Sequence, residues 1–370
     1  MTVTGNLVRL SKEESERREA ANEFPRVSLF EKTLNTDLIS PESLRSAPII
    51  LRPLYRLLPA AVAQAIEAFR IRKRYDAVIS WSERRALLYA LVLKLFRSKS
   101  PHVALMYWMS KPKQAFLLRH TYKYMDCIIT WTSVQRDYAI HTLGIPKEKF
   151  FFVRHPVDQK FYQPVRRDTN MICAVGSEMR DYQTLIEAMN GLDIRCHIAA
   201  AVVRVIRNNS AKIVSLDNMN SLPHNVTIGF KFYPELRELY AQSRFAVVPL
   251  LPSDTDNGVN AILEAMAMGK AVICSRTRGQ VDVIEEGKTG LFVEQGNPRA
   301  LREAIEYLWN NPDVADRMGR DGRAHIEKYH SLDQFVDSVR HIVQNVIDGN
   351  HIQSETRSFT SARTETALHT

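Results

Sequence analysis

The sequence predicts an α/β protein made of two doubly wound domains in tandem. Three observations carry that expectation. Strand-like and helix-like patterns alternate along most of the chain, which calls for parallel sheets covered by helices on both faces. The chain has 370 residues, too many for one ordinary core. The alternation also runs twice, interrupted by the polar stretch PVRRDT at Pro164–Thr169.

The elements follow in chain order. Residues 1–22 are polar and without period, and read as an unstructured tail. The first domain is expected over 23–163. RVSLFE (Arg26–Glu31) reads as its first strand. Leu51–Arg74 reads as one or two helices, apolar on one side and basic at the end. YDAVISW, HVALMYW and MDCIITWT are apolar strand-like runs, with helices through ALLYALVLKLF and VQRDYAIHTLG, and KFFFVRHPVD closes this half. Residues 164–169 form the expected linker.

The second domain is expected over 170–330. Its strands are MICAVGS, DIRCHIAAA, NVTIGF, RFAVVPLL, KAVICS and GLFVEQG. Its helices run through DYQTLIEAMNGL, YPELRELYAQS, a segment starting near Asn260, and NPRALREAIEYLWNN. In the last of these Asn297 can cap and Pro298 suits the first helical position. A C-terminal helix is expected over 331–348, followed by an unstructured tail over 349–370.

Composition narrows the function classes. With 45% hydrophobic and 25% charged residues the chain is globular in character. No apolar run is long enough to cross a bilayer, and the N-terminal stretch lacks the apolar centre of a signal peptide. The expectation is a cytoplasmic protein, soluble or peripheral at the inner face of the membrane. Cys127, Cys173, Cys196 and Cys274 are scattered, with no metal-ligand spacing and no disulfide framework, and read as buried small hydrophobes. A formal charge of +9 favours acidic partners. No recognition motif or interleaved aromatics point to nucleic acid. Arg70, Arg72, Lys73 and Arg74 follow an apolar helix face, so an anionic membrane surface is a candidate partner. A core helix with a solvated basic end explains them slightly better.

The segment NGVNAILEAMAMGKAVICSRT (Asn257–Thr277) carries the chemistry. The loop SDTDNGVN follows the carboxyl end of a strand, where doubly wound sheets bind ligands. The first N–H groups of the next helix lack intrahelical partners and, with the dipole, form an anion site. Asn257, Gly258, Val259 and Asn260 would build it. Glu264 lies one turn deeper on the face of Asn260. A carboxylate aimed at a phosphate would repel it, so Glu264 fits a role in accepting hydrogen bonds from neutral hydroxyls, such as those of a ribose. A first-turn Glu that only favours the helix dipole is the structural alternative.

The stretch from Ile262 to Ile305, ILEAMAMGKAVICSRTRGQVDVIEEGKTGLFVEQGNPRALREAI, resembles the donor half of the family 4 (group one) retaining glycosyltransferases. VGSEMRDYQTLIEA, VTIGFKFYPELRELYAQSRFAVVPL and FVRHPVDQKFYQP resemble family positions in the family's order. The resemblance covers roughly Asp126–Tyr329. It implies the GT-B fold, two Rossmann-like domains facing a central cleft. It also implies transfer of a sugar, with retention, from a UDP- or GDP-linked donor to a glycan or lipid-linked acceptor, as in surface-glycan or exopolysaccharide assembly. No cofactor and no metal are implied.

The family's paired acids fall on Glu264, at the ribose, and Asp256, near the donor sugar, where the family usually has Glu. NGV stands in place of the usual glycine-phenylalanine-glycine loop. Gly176 matches the glycine at the first strand end of the second domain, and Arg180 is assigned the diphosphate, because Ser177 occupies the usual arginine position. A guanidinium there offers bidentate hydrogen bonds to phosphate oxygens. Lys231 and Phe232, in GFKFYPEL, resemble the loop bordering the base, with Phe230; by itself Phe232 reads as core. Arg278 and Gly279 are further cleft candidates.

In the first domain the family's glycine-rich loop has no counterpart, and no catalytic histidine is assigned, His102 reading as structural. Trp81, Ser82, Glu83, Tyr107, Trp108 and Lys113, near strand ends, are candidates for an acceptor pocket. Two other functions remain open from the sequence: a sugar-nucleotide epimerase on the same fold, and a non-catalytic partner subunit with a transferase fold.

Overall fold

A computed structural model of the protein describes residues 1–3, 12–165, 170–200, 203–207, 210–214 and 222–350. It contains two six-stranded sheets, all of whose strand pairs are parallel.

The first sheet holds β1 (Thr2–Val3), β2 (Leu38–Ile39), β3 (Val78–Trp81), β4 (His102–Leu105), β5 (Cys127–Thr130) and β6 (Phe150–Phe152), ordered β2-β1-β3-β4-β5-β6. Its helices are α1 (Lys12–Ala20), α2 (Leu29–Leu34), α3 (Arg52–Leu57), α4 (Ala60–Ile71), α5 (Glu83–Leu95), α6 (Pro112–Thr121) and α7 (Ser133–His141). Alternation along the strands fills two faces. Ile79, Val103, Leu105 and Ile129 enter one core, while Ala104, Met106 and Ile128 enter another beneath Ala86, Leu118 and Ala139 of α5, α6 and α7.

The second sheet holds β7 (Met171–Val175), β8 (Arg195–Ala199), β11 (Val226–Ile228), β12 (Ser243–Val248), β13 (Ala271–Ser275) and β14 (Gly290–Val293). The antiparallel pair β9 (Val203–Arg207) and β10 (Ser210–Val214) lies between β8 and β11 in sequence. The helices are α8 (Tyr182–Met189), α9 (Tyr233–Gln242), α10 (Val259–Ala267), α11 (Pro298–Asn310) and α12 (Pro312–Tyr329). Strand order is β11-β8-β7-β12-β13-β14. Counting its six strands in chain order, that is 3-2-1-4-5-6, the Rossmann order, which reverses between β7 and β12. Again the strands serve two cores: Cys173, Ala246 and Val272 pack under α9, α10 and α12, and Ile172, Val247 and Ile273 under α8 and α11.

Two expectations are corrected. RVSLFE is not the first strand; α2 begins at Leu29, and Phe30 packs edge-on against Trp81 with centroids 5.2 Å apart. The first strand is Thr2–Val3, inside the stretch read as a tail. The same stretch holds α1, whose Glu14 pairs with Arg17 and Arg18 and whose Glu19 accepts from the Ser28 amide at 2.8 Å. Residues 166–169 of the expected linker and 351–370 of the expected tail lie outside the described residues. The four cysteines are buried and free, as expected.

The final helix, α13 (Leu332–Ile347), follows α12 of the second domain yet packs Phe335, Val336, Val339 and Val343 into the first domain's core with Phe30 and Val103. The two crossings between domains are tied together. The Val157 N–H donates to the His330 carbonyl at 2.9 Å, and the Leu332 N–H to the Val157 carbonyl at 3.1 Å. Arg26 clamps both, pairing with Asp158 at 2.8 Å and Asp333 at 2.9 Å.

Candidate active site

A cleft of about 1820 Å³ lies between the two sheets' carboxyl ends and takes walls from both domains. The loops after β7 and β12, which flank the strand-order reversal, supply the second-domain wall.

After β7 the chain turns at Gly176, with φ +102°. A Cβ there would stand 2.5 Å from Arg180 Nη2, so the arginine can fold beneath the turn only because no side chain is present. Arg180 is 6% exposed. Its Nε donates to the Val175 carbonyl at 3.0 Å and its Nη1 to the Glu178 carbonyl at 2.7 Å. Tyr182 donates to the Gly176 carbonyl. The guanidinium is thus fixed by neutral acceptors and makes no salt bridge with a carboxylate among the described residues, although its charge reaches Glu264.

After β12, Gly258 takes φ +90° and caps α10 with no side-chain hydrogen bond, and the helix starts at Val259, one residue before the sequence placed it. The Gly258 position lies 3.6 Å from Arg180 Nη1, measured from the Cβ it lacks, so the cation and the helix N-terminus share one site. Asn257 is held by its Nδ2–H to Ser253 Oγ at 2.7 Å.

Glu264, one turn in, is half-buried against Tyr240, whose hydroxyl donates to Oε2 at 3.0 Å. Burial pushes its pKa up to about 7; the hydroxyls of Tyr240 and Tyr162 and the charge of Arg180 pull the other way. Part of its acceptor capacity is therefore already used by Tyr240, and near neutrality it can donate as well as accept.

Asp256 is 6% exposed. Its Oδ1 lies 3.1 Å from the Thr255 hydroxyl oxygen, and its Oδ2 has no hydrogen-bond partner among the described residues. Burial raises its pKa to about 7, with Asp282 adding to the rise and Thr255 opposing it. A buried carboxyl oxygen without a partner, on a cleft wall, is suited to a ligand hydroxyl.

Four hydrogen bonds join the domains across the cleft. Thr255 donates to the Tyr107 carbonyl at 2.9 Å, Gln135 Nε2–H to the Asp254 carbonyl at 2.8 Å, the Ser133 N–H to Asp282 Oδ2 at 2.8 Å, and Arg154 Nη1–H to the Asp282 carbonyl at 2.6 Å.

The structure brings all the assigned donor residues to this cleft: Gly176 and Arg180 after β7, Lys231 and Phe232 before α9, and Asp256, Asn257, Gly258, Val259, Asn260 and Glu264 after β12. Phe232 is not core, as its sequence alone suggested: it is 67% exposed and meets Phe230 edge-on with centroids 4.9 Å apart. Arg278 and Gly279 do not line the cleft; Gly279 sits against the Thr255 backbone.

In the first domain Trp81, Ser82, Glu83 and Tyr107 line the cleft, but Trp108 and Lys113 do not, and Lys111 does. His102 is fully buried between the Tyr124 carbonyl and Ser80, its pKa lowered to about 4 by burial, and is structural as expected. His155 is a cleft residue the sequence did not single out. It lies edge-on to Trp131 at 4.8 Å, and burial lowers its pKa to about 4. The only signal was its place at a strand end, in FVRHP. Among the described residues no group of three His, Cys, Asp or Glu is placed to hold a metal ion.

With this geometry the chain was compared with known proteins. Residues 169–311 match the family model of glycosyl transferases group 1. That segment holds every assigned donor residue. The chain is 30% identical over 137 residues to an uncharacterized glycosyltransferase of Methanocaldococcus jannaschii, covering 37% of this chain and 38% of that one. It is 32% identical over 78 residues to the capsular polysaccharide biosynthesis glycosyltransferase CapM of Staphylococcus aureus, covering 21% and 20%. The chain thus spans well under half the length of these curated relatives.

Solved structures cover both domains. A glycosyltransferase from Rickettsia africae superposes with a TM-score of 0.66 at 17% identity, over 94% of this chain and 98% of that one. HepE of Anabaena, in complex with UDP-glucose, superposes with a TM-score of 0.64 at 14% identity, over 94% and 99%. At such identities these likenesses establish the fold, two Rossmann-like domains facing a cleft in the GT-B arrangement.

Proposed function

We propose that the protein transfers a sugar, with retention, from a nucleoside-diphosphate sugar to an acceptor hydroxyl. The observation that carries this reading is the convergence, at the Rossmann reversal point, of Arg180, the α10 N-terminus and Glu264. The first two suit a diphosphate, and the third, one turn deeper, suits a ribose diol. Phe230 and Phe232 offer exposed faces for a base. The match of residues 169–311 to group 1 glycosyl transferases and the UDP-glucose held by HepE support the same assignment.

In the proposed reaction the diphosphate leaves on the face where the acceptor hydroxyl arrives, and its oxygen takes the hydroxyl proton. Arg180 and the α10 amides stabilise the charge that grows on the leaving group, so the reaction needs no metal. Asp256 is assigned to the donor sugar's hydroxyls through its unpaired Oδ2. Capsular polysaccharide synthesis, the role printed for CapM, supports a place in surface-glycan assembly.

The membrane partner is proposed on a different surface from the basic end of α4. There Arg70 pairs with Glu67 at 2.6 Å and Arg72 stacks on Phe69 at 3.7 Å, while α4 packs on α5. Ile49, Ile50 and Leu57, by contrast, are 78%, 85% and 84% exposed, beside Arg52 and Arg56. Among the described residues no helix is long and apolar enough to cross a membrane. Cosedimentation with anionic vesicles, lost on replacing Ile49, Ile50 and Leu57 with Ser, would support this; equal binding by the variant would exclude it.

The decisive experiment is thermal stability against a panel of nucleotide sugars, with Glu264→Ala alongside. Ligand at a hundredfold its dissociation constant adds about 2.7 kcal/mol. One sugar nucleotide should shift the wild type and not the variant. The product's anomeric configuration, and activity in a metal chelator, then test retention and metal independence. If no sugar nucleotide shifts the wild type, the donor assignment falls.

A further inference from the structure

The first sheet has a reversal point of its own. Its chain-order sequence is 2-1-3-4-5-6, so its crevice lies beyond the ends of β1 and β3. β3 ends at Trp81, and Ser82 turns the chain at φ 96° into α5. Arg85 stands in the first turn of that helix and lines the cleft.

Arg85 is 8% exposed. Its Nε donates to Gln64 Oε1 and its Nη1 to Ser82 Oγ, both at 3.1 Å; its Nη2 has no hydrogen-bond partner among the described residues. Burial and the neighbouring Arg84 lower its pKa, and no carboxylate offsets them. Glu83, the nearest acid on the same helix, is turned to the amides of Tyr107 and Trp108, at 2.5 and 2.6 Å. A buried guanidinium satisfied by neutral groups alone is costly unless an anion completes it.

Arg85 and Arg180 are the two buried arginines among the described residues. Each stands beyond the reversal point of one sheet, each faces the same cleft, and neither makes a salt bridge with a carboxylate among the described residues. The Tyr107 phenol, on the same wall as Arg85, feels the charges of Glu83, Glu178 and Asp256 as well as that of Arg85. Lys111, over the Trp108 ring at 3.3 Å, adds a second cation to this wall.

We propose that Arg85 binds an oxyanion, phosphate or carboxylate, carried by the acceptor, and so selects acceptors with a negative charge near the reacting hydroxyl. The word acceptor rests on the glycosyl-transfer reading above; the anion subsite itself does not. Arg85 supplies the charge-assisted hydrogen bonds.

The test follows the fluorescence of Trp81 and Trp131, which line the cleft. Glucose 1-phosphate, methyl glucuronide and neutral methyl glucoside are titrated into the wild type, Arg85→Gln and Arg85→Lys, each with and without saturating UDP. The wild type should bind at least one charged probe about tenfold to a hundredfold more tightly than the neutral one, the range of a charge-assisted bond. Arg85→Gln should lose that preference, and Arg85→Lys should keep part of it. Whichever charged probe binds identifies phosphate or carboxylate as the group recognised.

Equal affinity for charged and neutral probes would overturn the proposal. So would an unchanged preference in Arg85→Gln, or displacement of the charged probe by UDP, which would place it in the donor site. UDP binding by both variants, with wild-type affinity, shows that they are folded. If UDP binds none of the proteins while the Arg85-dependent preference persists, the anion subsite stands and the donor reading fails.

Discussion

The Tyr240 hydroxyl donates to Glu264 Oε2 at 3.0 Å, inside a wall where burial holds the carboxyl at a pKa of about 7. In the unfolded chain the same group titrates near 4.5. The folded state therefore keeps its proton more tightly, and stability falls as pH rises from about 4.5 through about 7. Glu264→Gln removes that dependence. Calorimetry should show the wild-type melting temperature declining across this window, with a flatter profile in the variant and a gain on the order of 1–3 kcal/mol at pH 8. Parallel profiles would mean that Glu264 is not the group titrating.

Asp256→Asn keeps the shape of a side chain that is buried with one unpaired oxygen. Its stability at pH 8 should match or exceed the wild type, because a carboxyl raised to about 7 no longer has to ionise in place. Transfer should fall by about 10²–10³, the usual cost of one misplaced polar contact at a reacting centre. Full turnover in the variant would remove Asp256 from the donor sugar.

Gly176→Ala and Gly144→Ala form a matched pair. Both positions have positive φ, +102° and +70°, but a Cβ at 144 meets nothing within 4 Å while one at 176 meets Arg180 Nη2. Each should lose roughly 1–3 kcal/mol to backbone strain. Only Gly176→Ala should also weaken nucleotide binding, by moving the guanidinium. Titration calorimetry with UDP distinguishes them, and equal affinities would separate Arg180 from the diphosphate.

Phe232→Ala removes a ring that is 67% exposed, so stability should change by less than about 0.5 kcal/mol. Loss of a stacked base should weaken UDP binding by about 0.5–1.5 kcal/mol, leaving binding of inorganic diphosphate unchanged. A variant equally weak for both would place Phe232 away from the base.

The central strands were legible because buried parallel strands are short apolar runs between breakers, as in AVIS, HVAL, CIIT and AVICS. Asn297 was legible as a cap because its side chain does accept from the Ala300 amide, at 2.9 Å. Thr2–Val3 was not, since two residues cannot show a period. RVSLFE misled because a six-residue stretch with three apolar residues fits strand or helix equally, and tertiary contacts of Phe30 with Trp81 and Phe335 decide it. α1 looked unstructured because ion pairs, not an apolar stripe, hold it. In the site, Asp256, Gly258 and Glu264 lie within nine residues of chain and could be read together. Arg85, His155 and Tyr107 come from separate segments of the first domain, a helix start and two loops, and only folding assembles them.

The paired crossings at Val157 and Ser331, bolted by Arg26, hang the two domains like a door on two pins. Two pins leave one axis of swing and block twist. The latch is then the set of four hydrogen bonds from Thr255, Gln135, Ser133 and Arg154. The neutral ones contribute about 0.5–1.5 kcal/mol each and the charge-assisted one about 1.5–3 kcal/mol, so only a few contacts hold the door shut. Spin labels across the cleft should therefore report a single opening coordinate, and one along the hinge line should report almost none.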